Sequence, residues 1–401
     1  MIEITREIDG AVDVEAGKPR SAGLAYDITW PQEGEAPGLV LVIAGFGDDT
    51  NSDYSAGLRR HIVETTGMGA VTVRYHAFHA RPTNGGAISI DPSEQAYLIG
   101  AALLAKAKVR DITNFRDVVR GLAAAKADIA PKVWIDPAHG ERQNFGILQA
   151  LDHLMVIGDL LENAPPFDAA RIVALGSSHG AYIAHLMAKM APSTLAAIID
   201  NSSYAQPPMN FLAIGDLPEI TIGFEGLNLH ARTRSAWTLT DRNAPDFYSR
   251  DRDLIRDVRY PPHIATQRAA AADGGTQYFM VNAAWDTVSP PDVKRRQQAA
   301  LARAGFEAEL DIIGQDKIDG RLFKTVSHGL GCSLKLLFDR YIGRVRPRGV
   351  APDAVQGSTI EHACVDLGYR FRHSTTAPYV TAEVYDLFEE PAAEPAASQA
   401  A

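Results

Sequence analysis

A short motif near the middle of the chain has the residue types of a serine nucleophile. Residues 176–180, with the sequence GSSHG, match the pattern G-x-S-x-G. An apolar run at 171–175 precedes the motif and apolar residues at helical spacing, 181–190, follow it, as the strand, turn and helix of a nucleophile elbow require. Ser178 has glycine at both flanking positions, whereas its neighbour Ser177 does not. The alternative is a Gly- and Ser-rich turn that packs tightly or binds phosphate.

The two glycines around Ser178 have a geometric reason. Gly176 and Gly180 lack a Cβ atom at the points where the strand and the helix must approach each other. The tight turn would strain the backbone of Ser178 and project its hydroxyl above the sheet. The helix N-terminus would then place positive potential beneath a developing oxyanion. The expected chemistry is nucleophilic attack on a carbonyl carbon.

The chain resembles the α/β-hydrolase superfamily over about residues 20–343, in this motif and in the order of its elements. The runs 44–49 (AGFGDD), 178–182 (SHGAY) and 199–203 (IDNSS) are also similar to an uncharacterised bacterial branch associated with surface or flagellar glycan loci. The resemblance implies an α/β-hydrolase fold with a mostly parallel central sheet and helices on both faces. It also implies a catalytic triad in the chain order Ser, then Asp or Glu, then His.

The resemblance assigns the acid of the triad to Asp286. This residue lies shortly after the apolar run 278–282 and precedes two prolines that favour a helix start. Its role would be to fix the tautomer of the histidine and to stabilise the imidazolium. Asp286 could instead cap the turn or the helix. Asp292, Asp316 and Asp319 are rival acids, although the last two lie in a polar loop.

The base is assigned to His328, in the run 327–331 (SHGLG) after the last core strand. An imidazole, with an ordinary pKa of about 6.5, can accept the serine proton near neutral pH. The chain contains 12 histidines, so a surface or structural role for His328 is the alternative.

Two backbone N–H groups are expected to form the oxyanion hole. One belongs to His179, directly after the nucleophile, and the resemblance assigns the other to Phe46 in Gly45-Phe46-Gly47. Members of the superfamily commonly have His-Gly where this chain has Ala44-Gly45, which leaves a plain glycine turn as the alternative.

Other polar and aromatic residues carry less specific signals. His76 and His79 are too few for a metal site and could line a substrate pocket. Asp48 and Asp49 fit charges at a helix start. The stretch 203–270 contains aromatic residues that could line a cleft or form a small core under a lid: Tyr204, Trp237 and Phe247.

Apolar runs and helical patterns alternate along the chain, which predicts a parallel sheet covered by helices. Buried strands are expected at 38–44, 70–75, 171–175, 195–199, 277–281 and 306–313, edge strands at 2–8 and 22–30, and helices at 53–66, 181–190, 291–304 and 331–343. We expect a catalytic domain over 1–343, with a helical insertion at about 80–165 and a cap or lid at about 203–270. An extension at 344–388 should follow, in which 360–371 and 379–388 could form a hairpin. The tail at 389–401 is expected to be disordered. The role of the extension stays open between an edge strand and the arm of a homodimer.

The composition gives no support for several classes of partner. With 39 Lys and Arg against 49 Asp and Glu, the formal charge of −10 disfavours nucleic acid and anionic lipid. The chain contains no run of 18 or more apolar residues, so the sequence predicts no membrane span. Two cysteines, Cys332 and Cys364, and an N-terminus unlike a secretory signal predict a cytoplasmic protein. No metal or organic cofactor is implied.

Together these features predict a serine esterase or deacylase that forms an acyl-enzyme on Ser178 and acts on a small-molecule or glycan-linked acyl substrate. One alternative is an acyltransferase that uses the same triad to acylate a sugar or another alcohol. A second is a non-catalytic binding protein on a hydrolase scaffold. A peptidase is disfavoured because its usual large N-terminal propeller has no counterpart here.

Overall fold

The computed structural model describes residues 1–20, 22–46, 52–77, 86–141, 143–212, 218, 220–234, 237–271 and 273–389. The strands are β1 (Ile2–Ile8), β2 (Leu24–Trp30), β3 (Leu39–Ile43), β4 (Gly69–Val73), β5 (Ala87–Ser89), β6 (Lys132–Asp136), β7 (Ile172–Ser177), β8 (Ala197–Asn201), β9 (Ile220–Phe224), β10 (Leu227–Thr233), β11 (Gln277–Ala283), β12 (Ala308–Ile313), β13 (Thr359–Ala363), β14 (Leu367–His373) and β15 (Val380–Asp386). The helices are α1 (Asp53–Thr66), α2 (Pro92–Leu104), α3 (Phe115–Ala124), α4 (Ile147–Asn163), α5 (His179–Met190), α6 (Arg250–Arg256), α7 (Pro261–Ala270), α8 (Pro291–Arg303), α9 (Leu334–Ile342) and α10 (Asp353–Gln356).

Eight strands form the central sheet in the order β1-β2-β4-β3-β7-β8-β11-β12. Strand β2 pairs antiparallel with both β1 and β4, and every other neighbouring pair is parallel. This order confirms the expected α/β-hydrolase fold. After β3 the chain adds β4 on one side, and after β4 it adds β7 on the other side of β3, so the order of strand addition changes direction between β3 and β7. Parallel α/β sheets bind their ligands at the carboxyl ends of the strands at such a point.

Both faces of the sheet are covered, which explains why its central strands are continuous apolar runs. In β3, Leu39, Leu41 and Ile43 face one apolar cluster, whereas Val40 and Val42 face the other. Helices α4 and α5 contribute to the first cluster, and α1 and α9 contribute to the second. The sheet is therefore held rigidly between two helical layers.

A second sheet, of order β5-β6-β10-β9, joins two segments that are far apart in the chain. Strand β6 pairs parallel with β10, although about 90 residues separate them. These strands come from the two insertions expected at 80–165 and 203–270, which thus meet in one sheet. Both insertions end earlier in the chain than expected, because the helices at their C-terminal ends belong to the main body. Helix α4 packs on α5, and α7 packs on α5 and α8.

The C-terminal segment forms a three-stranded antiparallel sheet rather than the expected two-stranded hairpin, because residues 364–366 break the longer run into β13 and β14. This sheet packs on the same chain. The Nε2 atoms of His362 and His373 lie 2.8 and 3.0 Å from the carbonyl oxygens of Lys189 and Met190. They cap the last carbonyl groups of α5. The tail expected to be disordered lies outside the described residues, apart from Glu389.

Candidate active site

Ser178 occupies a tight turn between β7 and α5. Its backbone has φ 52° and ψ −116°, a conformation that non-glycine residues rarely adopt and that clusters at functional sites. A Cβ atom on Gly176 would lie 2.4 Å from the nitrogen of Ala181, and one on Gly180 would lie 2.1 Å from the oxygen of Ile43. Only glycine therefore fits these two positions, as the spacing of the motif indicated.

The structure brings Ser178, His328 and Asp286 together. Ser178 Oγ lies 2.8 Å from His328 Nε2, and His328 Nδ1 lies 2.9 and 3.0 Å from the two carboxylate oxygens of Asp286. Because a carboxylate only accepts hydrogen bonds, Nδ1 carries the proton and Nε2 is left to accept the serine hydroxyl proton. The side chain of Asp286 is fully buried, whereas that of His328 is 25% exposed.

The loop after β11 holds the Asp286 carboxylate in place. Its Oδ1 atom accepts hydrogen bonds from the backbone N–H groups of Val288 and Ser289, at 2.9 and 2.7 Å. Two of the three rival acids have other partners: Asp292 pairs with Arg296 on the surface, and Asp319 accepts three backbone N–H groups of its own loop.

The side chains of the two residues expected to supply the oxyanion donors lie next to each other. Residue His179 begins α5, and the ring of Phe46 lies 5.4 Å from its imidazole. The hydroxyl of Tyr75 donates to the carbonyl oxygens of Ala44 and Gly45, at 3.1 and 3.3 Å. Since a trans peptide points its N–H opposite to its C=O, this contact turns the Phe46 N–H away from Tyr75. Sequence reasoning did not identify Tyr75. Gly47, Asp48 and Asp49 lie outside the described residues.

The imidazole of His179 is locked beneath the elbow. Its Nε2 atom lies 2.7 Å from Gln149 Oε1, and its Nδ1 atom lies 2.7 Å from the hydroxyl of Tyr204. Gln149 also donates from its amide nitrogen to the carbonyl oxygen of His76, which fixes the direction of the amide. Nε2 therefore donates and Nδ1 accepts. Tyr204 is thus part of the support for the elbow.

A second polar group, here named the buried polar cluster, lies one strand away and consists of Asp200, His185, Lys294 and Ser203. Asp200 Oδ2 lies 2.7 Å from Lys294 Nζ, 2.9 Å from His185 Nε2 and 2.7 Å from Ser203 Oγ. Burial alone would raise the pKa of Asp200, but the charge of Lys294 and the hydrogen bond from His185 outweigh it and hold that pKa well below its ordinary range. All four residues are buried.

A cavity of about 630 Å³ is lined in part by His76, and its lining residues include neither the triad nor the two candidate oxyanion residues. Its walls come from the N-terminal loop, the segment before α4 and the loop after β10, and they include Arg20, Glu141 and Trp237. Arg20 is paired with Glu141 and with Asp152 inside the wall. The volume suits a small organic molecule, and the charged lining suits a polar one. His79, the other pocket candidate of this segment, lies outside the described residues.

Two classes of feature are absent from the part of the chain that the structure describes. No helix there has the length and apolar character needed to cross a membrane. No group of three or more His, Cys, Asp or Glu side chains in those ranges could hold a metal ion. Cys332 and Cys364 are both free thiols.

Comparison with known proteins gives one family match. Residues 4–376 match the sequence model of one protein family, DUF2920, which is described as a protein of unknown function. No curated protein matches the chain.

Among solved structures, the chain is similar to Est1E from Butyrivibrio proteoclasticus with ferulic acid bound, at 11% identity and a TM-score of 0.43, covering 80% of this chain and 95% of that one. It is similar to the thermophilic esterase Est2 from Thermogutta terrifontis, at 13% identity and a TM-score of 0.44, covering 86% and 95%. It is also similar to a puromycin-hydrolysing peptidase from Mycobacterium tuberculosis, at 16% identity and a TM-score of 0.45, covering 86% of this chain but 41% of that one. The chain thus spans about two fifths of the peptidase.

Proposed function

The chain belongs to the DUF2920 family, whose function is unknown, and we propose that it is a serine hydrolase that cleaves an ester through an acyl-enzyme on Ser178. The observation that carries the proposal is the continuous set of hydrogen bonds from Ser178 Oγ through His328 to Asp286. A serine hydroxyl is a weak nucleophile until a base accepts its proton. Here a base is within reach, and a buried carboxylate orients that base.

The reaction would begin when His328 Nε2 takes the hydroxyl proton and Ser178 Oγ attacks the carbonyl carbon of the ester. The imidazolium that forms is stabilised by Asp286. The proton on Nε2 then passes to the leaving alcohol oxygen as the C–O bond breaks, which leaves an acyl group on Ser178. Water next attacks the acyl carbon, gives one proton to Nε2, and releases the acid as the proton returns to Ser178.

The oxyanion of each tetrahedral intermediate would be bound by the N–H groups of His179 and Phe46. The proximity of these residues and the orientation of the Gly45 peptide by Tyr75 support this role. Losing one such donor costs about 2.7–4 kcal/mol of transition-state stabilisation. The N-terminus of α5 adds positive potential at the same place.

The substrate would be a small or glycan-linked acyl ester, as the sequence predicts. We expect the reaction to take place in the cytoplasm, as the composition predicts, and no cofactor takes part in the scheme.

A panel of p-nitrophenyl esters of increasing acyl length, together with acetylated sugars, tests the proposal on the wild type and Ser178→Ala. We expect the wild type to turn over at least one ester and the variant to lose at least about 10³-fold of kcat. Ser358→Ala is a matched control, because it removes one hydrogen bond to Asp353 in the C-terminal segment and should leave kcat unchanged. Equal rates for the wild type and Ser178→Ala would contradict the proposal.

A parallel assay with added sugar acceptors separates hydrolysis from acyl transfer. Mass spectrometry of the products would show free acid if water is the acceptor. An acylated sugar as the main product would retain the triad but replace hydrolysis by transfer.

A further inference from the structure

The residue that ends β8, Asn201, lies between the strands that carry the proposed nucleophile and acid. The sheet order places β8 between β7 and β11. Asn201 is the register partner of Ser177 on one side and of Val281 on the other. Its side chain is therefore at the carboxyl end of the sheet, where all three triad loops emerge.

The amide of Asn201 joins the nucleophile elbow to the histidine loop. Its Nδ2 atom donates one hydrogen bond to Ser177 Oγ at 3.0 Å and one to the carbonyl oxygen of Gly329 at 3.1 Å. These residues are the direct neighbours of Ser178 and His328. An amide nitrogen has two hydrogens, so both are used. Asn201 is 2% exposed, whereas Ser177 and Gly329 are partly buried.

Backbone contacts fix the position of Asn201 itself. Its carbonyl oxygen accepts the N–H of Ser178 at 2.7 Å. The next residue, Ser202, donates its N–H to Val281 at 2.9 Å and turns the chain with φ 58°. The amide is thus held on a strand that is bonded on both sides, which makes it a rigid reference point for the two loops.

The loop that carries His328 needs such a reference. Asp286 orients the imidazole through Nδ1, and the N–H of Trp285 donates to the carbonyl oxygen of Val326 at 3.3 Å, which holds the loop on the side before His328. After His328 the backbone turns through three consecutive positive φ angles, at Gly329, Leu330 and Gly331. The hydrogen bond from Asn201 to Gly329 ties this turn to the central sheet.

We propose that Asn201 is a positioning residue that sets the distance between the serine hydroxyl and the imidazole. The inference rests on the proposed function, since it concerns how the same site is held. Displacing reacting groups by about 1 Å can lower a rate by about 10²-fold. The hydrogen bonds of the Asn201 amide go to neither Ser178 Oγ nor the His328 imidazole, so we expect its effect in kcat rather than in KM.

The test compares Asn201→Ala and Ser177→Ala with the wild type on the best ester of the panel, with rates normalised to folded protein. We expect Asn201→Ala to lower kcat by about 30- to 100-fold with KM within about threefold. Ser177→Ala removes one of the two contacts and should lower kcat by about three- to tenfold. If Asn201→Ala does not fold, the Ser177→Ala result decides, and a kcat within twofold of the wild type overturns the proposal.

A matched control lies in the turn that precedes the same strand, β8. Thr194→Val removes two buried hydrogen bonds with Asp353, at 3.0 and 3.2 Å, and preserves the shape of the side chain. It should lower the melting temperature by an amount similar to Asn201→Ala yet leave kcat within about twofold. If both variants lower kcat equally, Asn201 has a general structural role and the proposal is wrong.

A double-mutant cycle tests whether Asn201 acts through the histidine. In a His328→Ala background, adding Asn201→Ala should lower the residual rate by less than about twofold, because the group being positioned is gone. A further loss of 30-fold or more would contradict this route of action. Failure of the proposed function is distinguishable, because then the wild type and Ser178→Ala already have equal rates.

Discussion

Two neighbouring groups of side chains use similar chemical functions and differ in what surrounds them. Ser178, His328 and Asp286 lie at the carboxyl edge of the sheet, with the imidazole partly exposed. The buried polar cluster of Asp200, His185, Lys294 and Ser203 lies one strand away and is closed to solvent.

The two serine hydroxyls, of Ser178 and Ser203, differ in the groups to which they are hydrogen-bonded. The hydroxyl of Ser178 faces a neutral imidazole nitrogen that can take its proton. The hydroxyl of Ser203 donates a hydrogen bond to the Asp200 carboxylate and accepts one from the Lys294 ammonium. Its proton is therefore directed at a carboxylate and not at an imidazole. Residue types and proximity alone do not make a reactive serine; access and an available proton acceptor are also needed.

The largest effect that separates the two groups is expected from Asp286→Asn. An amide cannot stabilise the imidazolium, and its N–H group would oppose the backbone donors of Val288 and Ser289. We expect kcat to fall by about 10³- to 10⁴-fold while the fold persists. Steady-state kinetics and circular dichroism check this, and a loss below tenfold would remove Asp286 from the triad.

Lys294→Met should have the opposite profile. It leaves the carboxylate of Asp200 buried without its cation, which destabilises proteins by about 3–5 kcal/mol. We expect that loss in urea unfolding, with kcat per folded molecule within about threefold. A large fall in kcat at unchanged stability would show that the buried polar cluster takes part in catalysis.

Ser203→Ala sharpens the comparison at the level of a single hydroxyl. The variant removes two hydrogen bonds to charged groups, and such a bond contributes about 1.5–3 kcal/mol. We expect a destabilisation at least as large as one such bond contributes, and an unchanged rate of Ser178 acylation. Stopped-flow measurement of the acylation burst, together with unfolding curves, provides the check.

The smallest expected effect concerns α5, which carries His185 and begins directly after Ser178. Burial, followed by the charge of Lys189, lowers the pKa of His362, which caps this helix, to about 3. An unfolded histidine binds a proton near pH 6.5, so the unfolded state gains protons first as the pH falls, and stability is lost below that pH.

Between pH 7 and pH 5 we expect the wild type to lose about 1–2 kcal/mol more of its free energy of unfolding than His362→Gln, which keeps a donor but does not titrate. Urea unfolding at four pH values measures the difference. Parallel curves for the two proteins would contradict the expectation.

The sequence predicted those parts of the molecule that local pattern encodes. The strand and helix around Ser178 followed from apolar runs and glycine spacing, whereas Asp286 and His328 were assigned from the resemblance to the α/β-hydrolase superfamily. The pairing of β6 with β10 could not be predicted, because short strands about 90 residues apart carry no local sign of each other.

The supporting contacts were also beyond sequence reasoning. Lys294 follows a pair of prolines in a charged helix and resembles a surface residue, yet the fold buries it against Asp200. Tyr75 and Asn201 act through contacts with residues about 30 and 130 positions away. Asn201 belongs to the run 199–203, which carried part of the family resemblance. In the structure its amide bonds Ser177 and Gly329.

Labelling with a fluorophosphonate probe and peptide mass spectrometry tests the central claim most directly. We expect one adduct, on Ser178, that disappears in Ser178→Ala and forms at least about 10²-fold more slowly in His328→Ala. An unlabelled wild type, or equal labelling of Ser178 with and without the His328 imidazole, would contradict the claim that this histidine activates that serine.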